Sequence, residues 1–144
     1  MCDCCSQTHA TVPMVHNGET IQIDIGIQEL ISRLWKQGID TDNSCECSTK
    51  AYHAGFEPYP TAYISFTTRN EFYTFLLATE GQRAINLFER DLARRKHPTT
   101  LHIMLTNGWF LTWFRNGTDE AFMVNFPREQ IDAITNKFPE VQAA

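Results

Sequence analysis

Residues 100–126 read TLHIMLTNGWFLTWFRNGTDEAFMVNF, and this stretch decides the fold. Two Asn-Gly pairs, Asn107 with Gly108 and Asn116 with Gly117, separate three runs rich in β-branched and aromatic residues. Asn-Gly is the preferred two-residue hairpin turn because both of its positions require a positive φ. The pattern therefore predicts an antiparallel three-stranded meander with strands at 100–106, 109–115 and 119–126.

The middle strand of this meander is apolar on both faces. Trp109, Leu111 and Trp113 alternate with Phe110 and Phe114, so neither face suits water. Helices, another subunit or a ligand could cover these faces, and the sequence favours helices on one face and a second copy of the chain on the other. A homo-oligomer is the resulting expectation.

A strand–helix–strand unit precedes the meander. Residues 20–24 and 61–67 alternate between apolar and polar side chains, as strands do. Between them, apolar residues at helical spacing start at Ile27, with Asp24 or Gly26 available as the N-cap and Gly38 as the C-terminal glycine. This unit opens the predicted domain.

Three more helices complete the predicted fold. Thr68 with Glu71, and Thr79 with Gln82, have the spacing of capping boxes, and each pair precedes a helical run of apolar residues. Pro127 suits the first position of a closing helix. The predicted fold class is α+β, with two central helices, the meander and a closing helix.

Composition limits the organisation and the partners. A chain of 144 residues fits one domain, predicted at 20–144, after a loosely ordered, cysteine-containing arm at 1–19. The net charge of -5 argues against a long nucleic acid as the partner. No apolar run approaches the length of a membrane helix and the N-terminus does not resemble a signal peptide, so the predicted location is cytoplasmic.

Five cysteines fall in two clumps, which in a reducing compartment indicates a metal or a reactive thiol before a disulfide. Two thiolate pairs would supply the tetrahedral set that zinc prefers and would fix the arm to the domain. The predicted zinc ligands are Cys2, Cys5, Cys45 and Cys47, with Cys4 and His9 as substitutes. The alternative is an arm of free thiols without metal.

Cys45 is also a candidate nucleophile. A catalytic thiol needs a histidine partner or a helix N-terminus to favour the thiolate. His53 lies near in sequence, and His97 and His102 are further candidates. No protease signature surrounds Cys45, so enzymatic activity is a minor alternative.

The segment from residue 44 to residue 60 has no periodicity and predicts a long functional loop. A basic cluster at 83–96 lies near a predicted helix C-terminus, where the macrodipole explains most of it. The alternative is that one or two of its arginines, or Arg69 or Arg115, bind a phosphorylated small molecule, because the guanidinium fork matches phosphate. Tyrosines outside periodic segments suit stacking on a base. The predicted ligand-binding residues are Asn43, Ser44, Cys45, Glu46, Tyr59, Arg69, Arg94 and Arg115.

Residues 21–66 resemble a group of small uncharacterised proteins of phages, bacteria and archaea. The resemblance lies in IQID, a following helix, GIDT at 38–41, NSCE at 43–46 and the returning strand PYPTAYISF at 58–66. The Ser-Cys turn is also similar, more weakly, to one in wybutosine-synthesis methyltransferases. Cys47 and Ser48 replace the glycine and histidine of the family pattern.

That resemblance implies a phage or mobile-element origin and a protein that acts by binding. The leading hypothesis is non-catalytic binding of a small phosphorylated, nucleotide-like ligand, by a phage protein that blunts a defence signal in the host cytoplasm. The second hypothesis is a zinc-stapled structural or regulatory module that binds a protein partner. The third is a thiol enzyme that acts through Cys45.

Overall fold

The computed structural model describes residues 10–48 and 61–140, without the side chains of residues 47 and 48. The strands of this part are β1 (Thr11–His16), β2 (Glu19–Asp24), β3 (Thr41–Ser48), β4 (Thr61–Phe66), β5 (Thr100–Met104), β6 (Phe110–Asn116) and β7 (Asp119–Pro127). The helices are α1 (Gln28–Lys36), α2 (Arg69–Thr79), α3 (Gln82–Arg94) and α4 (Ile131–Thr135). The fold is α+β, as predicted.

Five strands form one antiparallel sheet in the order β3-β4-β7-β6-β5, which confirms the predicted meander. Asn107 and Gly108 both have a positive φ, of 63° and 79°. The second turn is displaced by one residue from its predicted place. Asn116 pairs with Asp119, so Gly117 and the threonine after it form the two-residue loop, and only the glycine has a positive φ.

β1 and β2 form a separate antiparallel hairpin. Its turn consists of Asn17 and Gly18, both with positive φ (52° and 80°), as a type I′ turn requires. This hairpin corrects the predicted arm at 1–19. The second half of that segment is a strand paired with the domain, while residues 1–9 lie outside the described residues.

The helices pack against one face of the sheet and form the core there. The apolar stripe of α1 is buried, as predicted, and Thr68 caps α2 by accepting a hydrogen bond from the Glu71 amide at 3.3 Å. The second predicted capping box is wrong. The Thr79 hydroxyl donates instead to the Phe75 carbonyl at 2.8 Å, inside the last turn of α2, and α3 starts after Gly81.

The closing helix α4 docks against α1 through its buried face. Ile131, Ile134 and Phe138 are buried, as predicted, and the Phe138 ring stacks on Phe75 with 5.5 Å between the centroids. The Arg33 guanidinium of α1 donates to the Phe138 carbonyl at 3.2 Å. A 3-10 turn, Arg128–Gln130, connects β7 to α4, and a second one, Ile25–Ile27, connects β2 to α1.

The opposite face of the sheet divides into a buried part and an exposed part. Cys45 and Tyr63 are buried there against Met123, and Phe110 is also buried. Phe114, near the end of β6, is 41% exposed. The helix-side cover of the middle strand is thus confirmed, and cover of the other face by a second copy of the chain stays a prediction.

The predicted loop around Cys45 is wrong as far as the structure describes it. Residues 41–48 form β3, an edge strand of the large sheet that pairs with β4. Its register shifts at two irregularities, between Thr41 and Asn43 and between Cys45 and Ser48. Residues 49–60, which include the predicted stacking residue Tyr59, lie outside the described residues.

Candidate functional site

A cleft of about 730 Å³ opens where both 3-10 turns meet the end of β3 and the first turn of the meander. These segments are far apart in sequence, and the fold brings them together at one corner of the large sheet. The cleft combines charged side chains with glycine backbone. The described residues that line it are Gly26, Glu46, Gly108, Pro127, Arg128, Glu129, Ile131 and Asp132.

Glu46 is the buried charge of this cleft, since the residue is only 7% exposed. Its carboxylate lies directly against the backbone of Gly26. A β-carbon at position 26 would fall 1.7 Å from Oε2 and 2.7 Å from Cδ of Glu46. The space that the carboxylate occupies therefore exists because residue 26 has no side chain.

Asp24 fixes the strand that carries Glu46. The Asp24 side chain is buried, and its Oδ2 accepts a hydrogen bond from the Glu46 amide at 3.0 Å. It makes no capping hydrogen bond to the helical turn that follows, which was one of its predicted roles. This contact joins β2 to β3 and sets the depth of the Glu46 carboxylate in the cleft.

Arg128 supplies the positive charge. Its Nη2 lies 3.3 Å from Oε2 of Glu46, and its side chain is 52% exposed. A guanidinium has five N–H donors, and Glu46 is the one hydrogen-bond acceptor it meets among the described residues. Most of its donors are therefore available to water or to a ligand in the cleft.

The remaining charges make the cleft acidic. Among the described residues, Glu129 and Asp132 line it together with Glu46, so that three carboxylates face one guanidinium there. The three carboxylates can accept hydrogen bonds from hydroxyl and amino groups of a ligand, and the guanidinium can donate charge-assisted hydrogen bonds to it. A ligand with several phosphates would meet net repulsion here.

Of the predicted ligand-binding residues on β3, Glu46 alone lines this cleft. Cys45 and Glu46 are neighbours in a strand, so they point to opposite faces, and Cys45 lies buried beside Tyr63. Asn43 is exposed, and its Oδ1 accepts a hydrogen bond from the Ser44 amide. The predicted site is thus divided between the two faces of the sheet.

The predicted arginines lie away from Glu46. The Arg69 guanidinium donates to Glu120 at 2.6 Å, and the Arg115 guanidinium lies 5.4 Å from the centre of the Trp113 ring. Both are near the sheet end at which Phe66 pairs with β7, whereas Glu46 is near the other end of β4. Five residues of strand separate these ends by roughly 16 Å. Arg94 is exposed in the last turn of α3.

The Glu120 carboxylate lies between Arg69, Arg115 and Trp113, and these four residues form a second charged group away from the cleft. The Trp113 indole donates to it at 2.7 Å, and Arg69 binds the same oxygen. Burial alone would raise the pKa of Glu120, but these hydrogen bonds and the charges of Arg69 and Arg115 outweigh burial and lower it. Arg69 and Glu120 are therefore already engaged with one another.

The predicted zinc site stays a prediction. Cys2, Cys5 and the side chain of Cys47 lie outside the described residues. In the described ranges no group of three or more histidine, cysteine or acidic side chains is arranged to hold a metal ion. Cys45 is fully buried among apolar neighbours.

The histidines named as partners of Cys45 do not approach it where they are described. His102 lies on β5, which is separated from β3 by three strands, and His97 is exposed after α3. Burial and the nearby charge of Arg95 lower the pKa of His102. His53 lies outside the described residues.

Sequence reasoning missed a second polar group, where the hairpin meets the domain. The His16 ring stacks on Trp35 with 4.1 Å between the ring centroids, and its Nε2 bonds the Asp40 carboxylate. The Trp35 indole donates to the Thr41 hydroxyl at 2.9 Å. His16 escaped attention because its segment was interpreted as a loose arm. Spacing gives no signal for a pair 24 residues apart.

Within residues 10–48 and 61–140, no helix is long and apolar enough to span a membrane. Comparisons with protein-family models, with curated proteins and with solved structures find no match. The resemblance to phage proteins accordingly stays a prediction.

Proposed function

We propose that this chain is a non-catalytic binding protein whose acidic cleft takes a nucleotide-like small molecule with at most one phosphate. The observation that carries the proposal is the Glu46–Arg128 pair, a buried carboxylate beside a half-exposed guanidinium in one cleft. The pair offers an acceptor and a donor array within 3.3 Å of each other.

Each end of such a ligand has a partner in the cleft. The ribose hydroxyls or an exocyclic amine would donate to Glu46 and Asp132, as carboxylates only accept when ionised. A single phosphate would take the spare donors of Arg128 in two-point contact. The cleft volume of about 730 Å³ lies in the range typical of small-molecule sites.

This proposal moves the phosphate contact from the arginines expected from sequence to Arg128. Arg69 is held by Glu120, and Arg115 lies on Trp113, so neither reaches the cleft. The acidic lining also narrows the ligand to a monophosphate or a nucleoside. The resemblance to phage proteins supports sequestration of a host signal as the biological role.

The test is isothermal titration and thermal shift with one nucleoside and its mono- and triphosphates. We expect the monophosphate to bind best and the triphosphate worst. Arg128→Gln should remove the advantage of the monophosphate over the nucleoside, a change of roughly tenfold or more for a charge-assisted hydrogen bond. Glu46→Gln should weaken both compounds.

Arg90→Gln is the matched control. Arg90 is as exposed as Arg128 and also lies beside a carboxylate, that of Asp91, but it is on α3 and does not line the cleft. This control should bind like the unaltered chain. If no compound binds, or if Arg128→Gln and Arg90→Gln behave alike, the proposal is wrong.

A further inference from the structure

β5 is an edge strand whose outer side has no strand neighbour among the described residues. The Arg115 amide donates to the Thr99 carbonyl, and the Leu105 amide donates to the Trp109 carbonyl. Hydrogen-bonded positions alternate along an antiparallel pair, so odd-numbered residues of β5 bond β6. The backbone groups of Thr100 and Met104 consequently point away from the sheet.

Apolar side chains are exposed beside this edge. Met104 is 55% exposed and Phe114 is 41% exposed, and both lie on the face of the sheet opposite to the helices. Thr100 is also exposed and is the cross-strand partner of Phe114. A strand laid along β5 would place every second residue beside Thr100 and Met104 and would extend the apolar surface that Phe114 begins.

Positive charge surrounds the start of the same edge. Arg95 and Lys96 are exposed in the connection from α3 to β5. Arg115 lies next to the end of that connection, because its backbone amide donates to the Thr99 carbonyl. None of the three forms an ion pair within the described part of the chain. Arg95 and Lys96 directly follow the C-terminal end of α3, where the macrodipole favours positive charge, whereas Arg115 lies on β6 and has no such explanation.

We propose that β5 accepts an extended acidic segment of another protein as a sixth strand of the large sheet. Backbone hydrogen bonds to Thr100 and Met104 would give affinity, and carboxylates near Arg95, Lys96 and Arg115 would set direction and partner. An edge strand with outward backbone groups is the usual template for such addition.

The charges favour this occupant over a second copy of the chain. The β5 sequence, TLHIM, contains no carboxylate, so pairing β5 with its own copy would leave the basic group without complement. The chain has a net charge of -5, so an acidic partner would be repelled elsewhere on its surface and attracted to this local basic group.

The probe is a fluorescent peptide with alternating glutamate and valine, titrated by anisotropy against the full chain. One control is a lysine–valine peptide. The other two are glutamate–valine peptides that are N-methylated at every second residue, one at the glutamates and one at the valines; these two peptides are the two N-methylated phases. We expect the glutamate–valine peptide to bind, and one N-methylated phase to bind at least about tenfold more weakly, since it loses the backbone donors. The lysine–valine peptide should not bind measurably.

Two variants locate the contact. Arg95→Gln with Lys96→Gln should weaken binding by about three- to tenfold, the worth of two exposed charge pairs. Lys36→Gln with Arg90→Gln removes the same charge elsewhere and should change nothing. On addition of the peptide, the amides of Thr100 and Met104 should gain protection from hydrogen exchange.

Several results would overturn this proposal. The first is equal binding of both N-methylated phases and the parent peptide, which would mean charge attraction alone. The second is displacement of the labelled peptide by a single-stranded oligonucleotide as effectively as by unlabelled peptide, which would also mean charge attraction alone. A dimer in sedimentation that Thr100→Pro dissociates would show that a second copy occupies the edge. Absence of peptide binding would also refute it.

Discussion

The replacement Gly26→Ala tests the geometry on which the candidate site depends. The new β-carbon would lie 1.7 Å from Oε2 of Glu46, where non-bonded atoms normally approach to about 3.5 Å. The carboxylate would therefore have to retreat by about 1.8 Å. Gly26 does not have a positive φ, so alanine meets no backbone strain and the clash is the main effect.

The expected cost follows from two opposing terms. Overpacking destabilises by about 1–3 kcal/mol, and the lower end applies here because the displaced carboxylate ends a flexible side chain that borders an open cleft. Alanine also restricts the unfolded chain more than glycine does, which stabilises by about 0.4–1 kcal/mol. Gly26→Ala should therefore lower the free energy of unfolding by about 0.5–1 kcal/mol, and its main effect should be to move the Glu46 carboxylate away from Arg128.

A double-mutant cycle measured by urea unfolding isolates the clash. In a Glu46→Ala background the carboxylate is gone, and of the three nearest atoms only the β-carbon of residue 46 remains, at 3.3 Å. Gly26→Ala should then be neutral within about 0.5 kcal/mol. In a Glu129→Ala background, which removes another cleft carboxylate, it should keep its full cost. Equal costs in all three backgrounds would refute the proposed packing of Glu46 against Gly26.

Three further predictions concern stability. Burial raises the pKa of Glu120, but the hydrogen bonds from the Trp113 indole and the Arg69 guanidinium outweigh burial and lower it. The ionised carboxylate therefore stabilises the fold above the unfolded pKa of about 4.3, and this stabilisation is lost as the pH falls through the lower folded pKa. Glu120→Gln should lower the free energy of unfolding in urea by about 1–2 kcal/mol at pH 7 and by much less near pH 2. Arg69→Gln removes the partner of Glu120 and should also lower it at pH 7. His16→Ala removes the bond to Asp40 and a stacked ring, and faster hydrogen exchange should be confined to the β1–β2 hairpin. Thr68→Ala should cost about 1 kcal/mol through loss of the N-cap of α2, measured by thermal unfolding.

The predictions from sequence that hold are those with a strong local cause. The meander follows from its turns, since few residues other than Asn107 and Gly108 accept two successive positive φ values. The second turn shows the limit of that reasoning. There Gly117 alone has a positive φ, and Asn116 stays in the strand, because the register with Asp119 decides which two residues form the loop.

β1 was missed because Pro13 and Val15 on its exposed face obscure the alternation of Val12 and Met14, and β3 was missed because it has no apolar face. The residues of β1 alternate between exposed and half-buried, and Pro13 argues against a strand unless it lies at an edge, as it does in this hairpin. β3 reads TDNSCECS, with one buried apolar side chain, Cys45, among polar ones. Its strand conformation comes from pairing with β4, a contact that no local pattern predicts.

The strand character of β3 also explains why the predicted ligand-binding residues do not lie together. A loop of residues 43–47 would let neighbouring side chains face one ligand, whereas a strand sends Cys45 and Glu46 to opposite faces of the sheet. The sequence analysis therefore named Glu46, which lines the cleft, but not the residues that the cleft places beside it. Gly26 and Arg128 come from turns 20 and 82 residues away, and the fold alone brings them to Glu46. A one-residue slip of β3 on β4 would exchange Glu46 for Cys45 in the cleft, so the register of this edge strand decides which chemistry the site has.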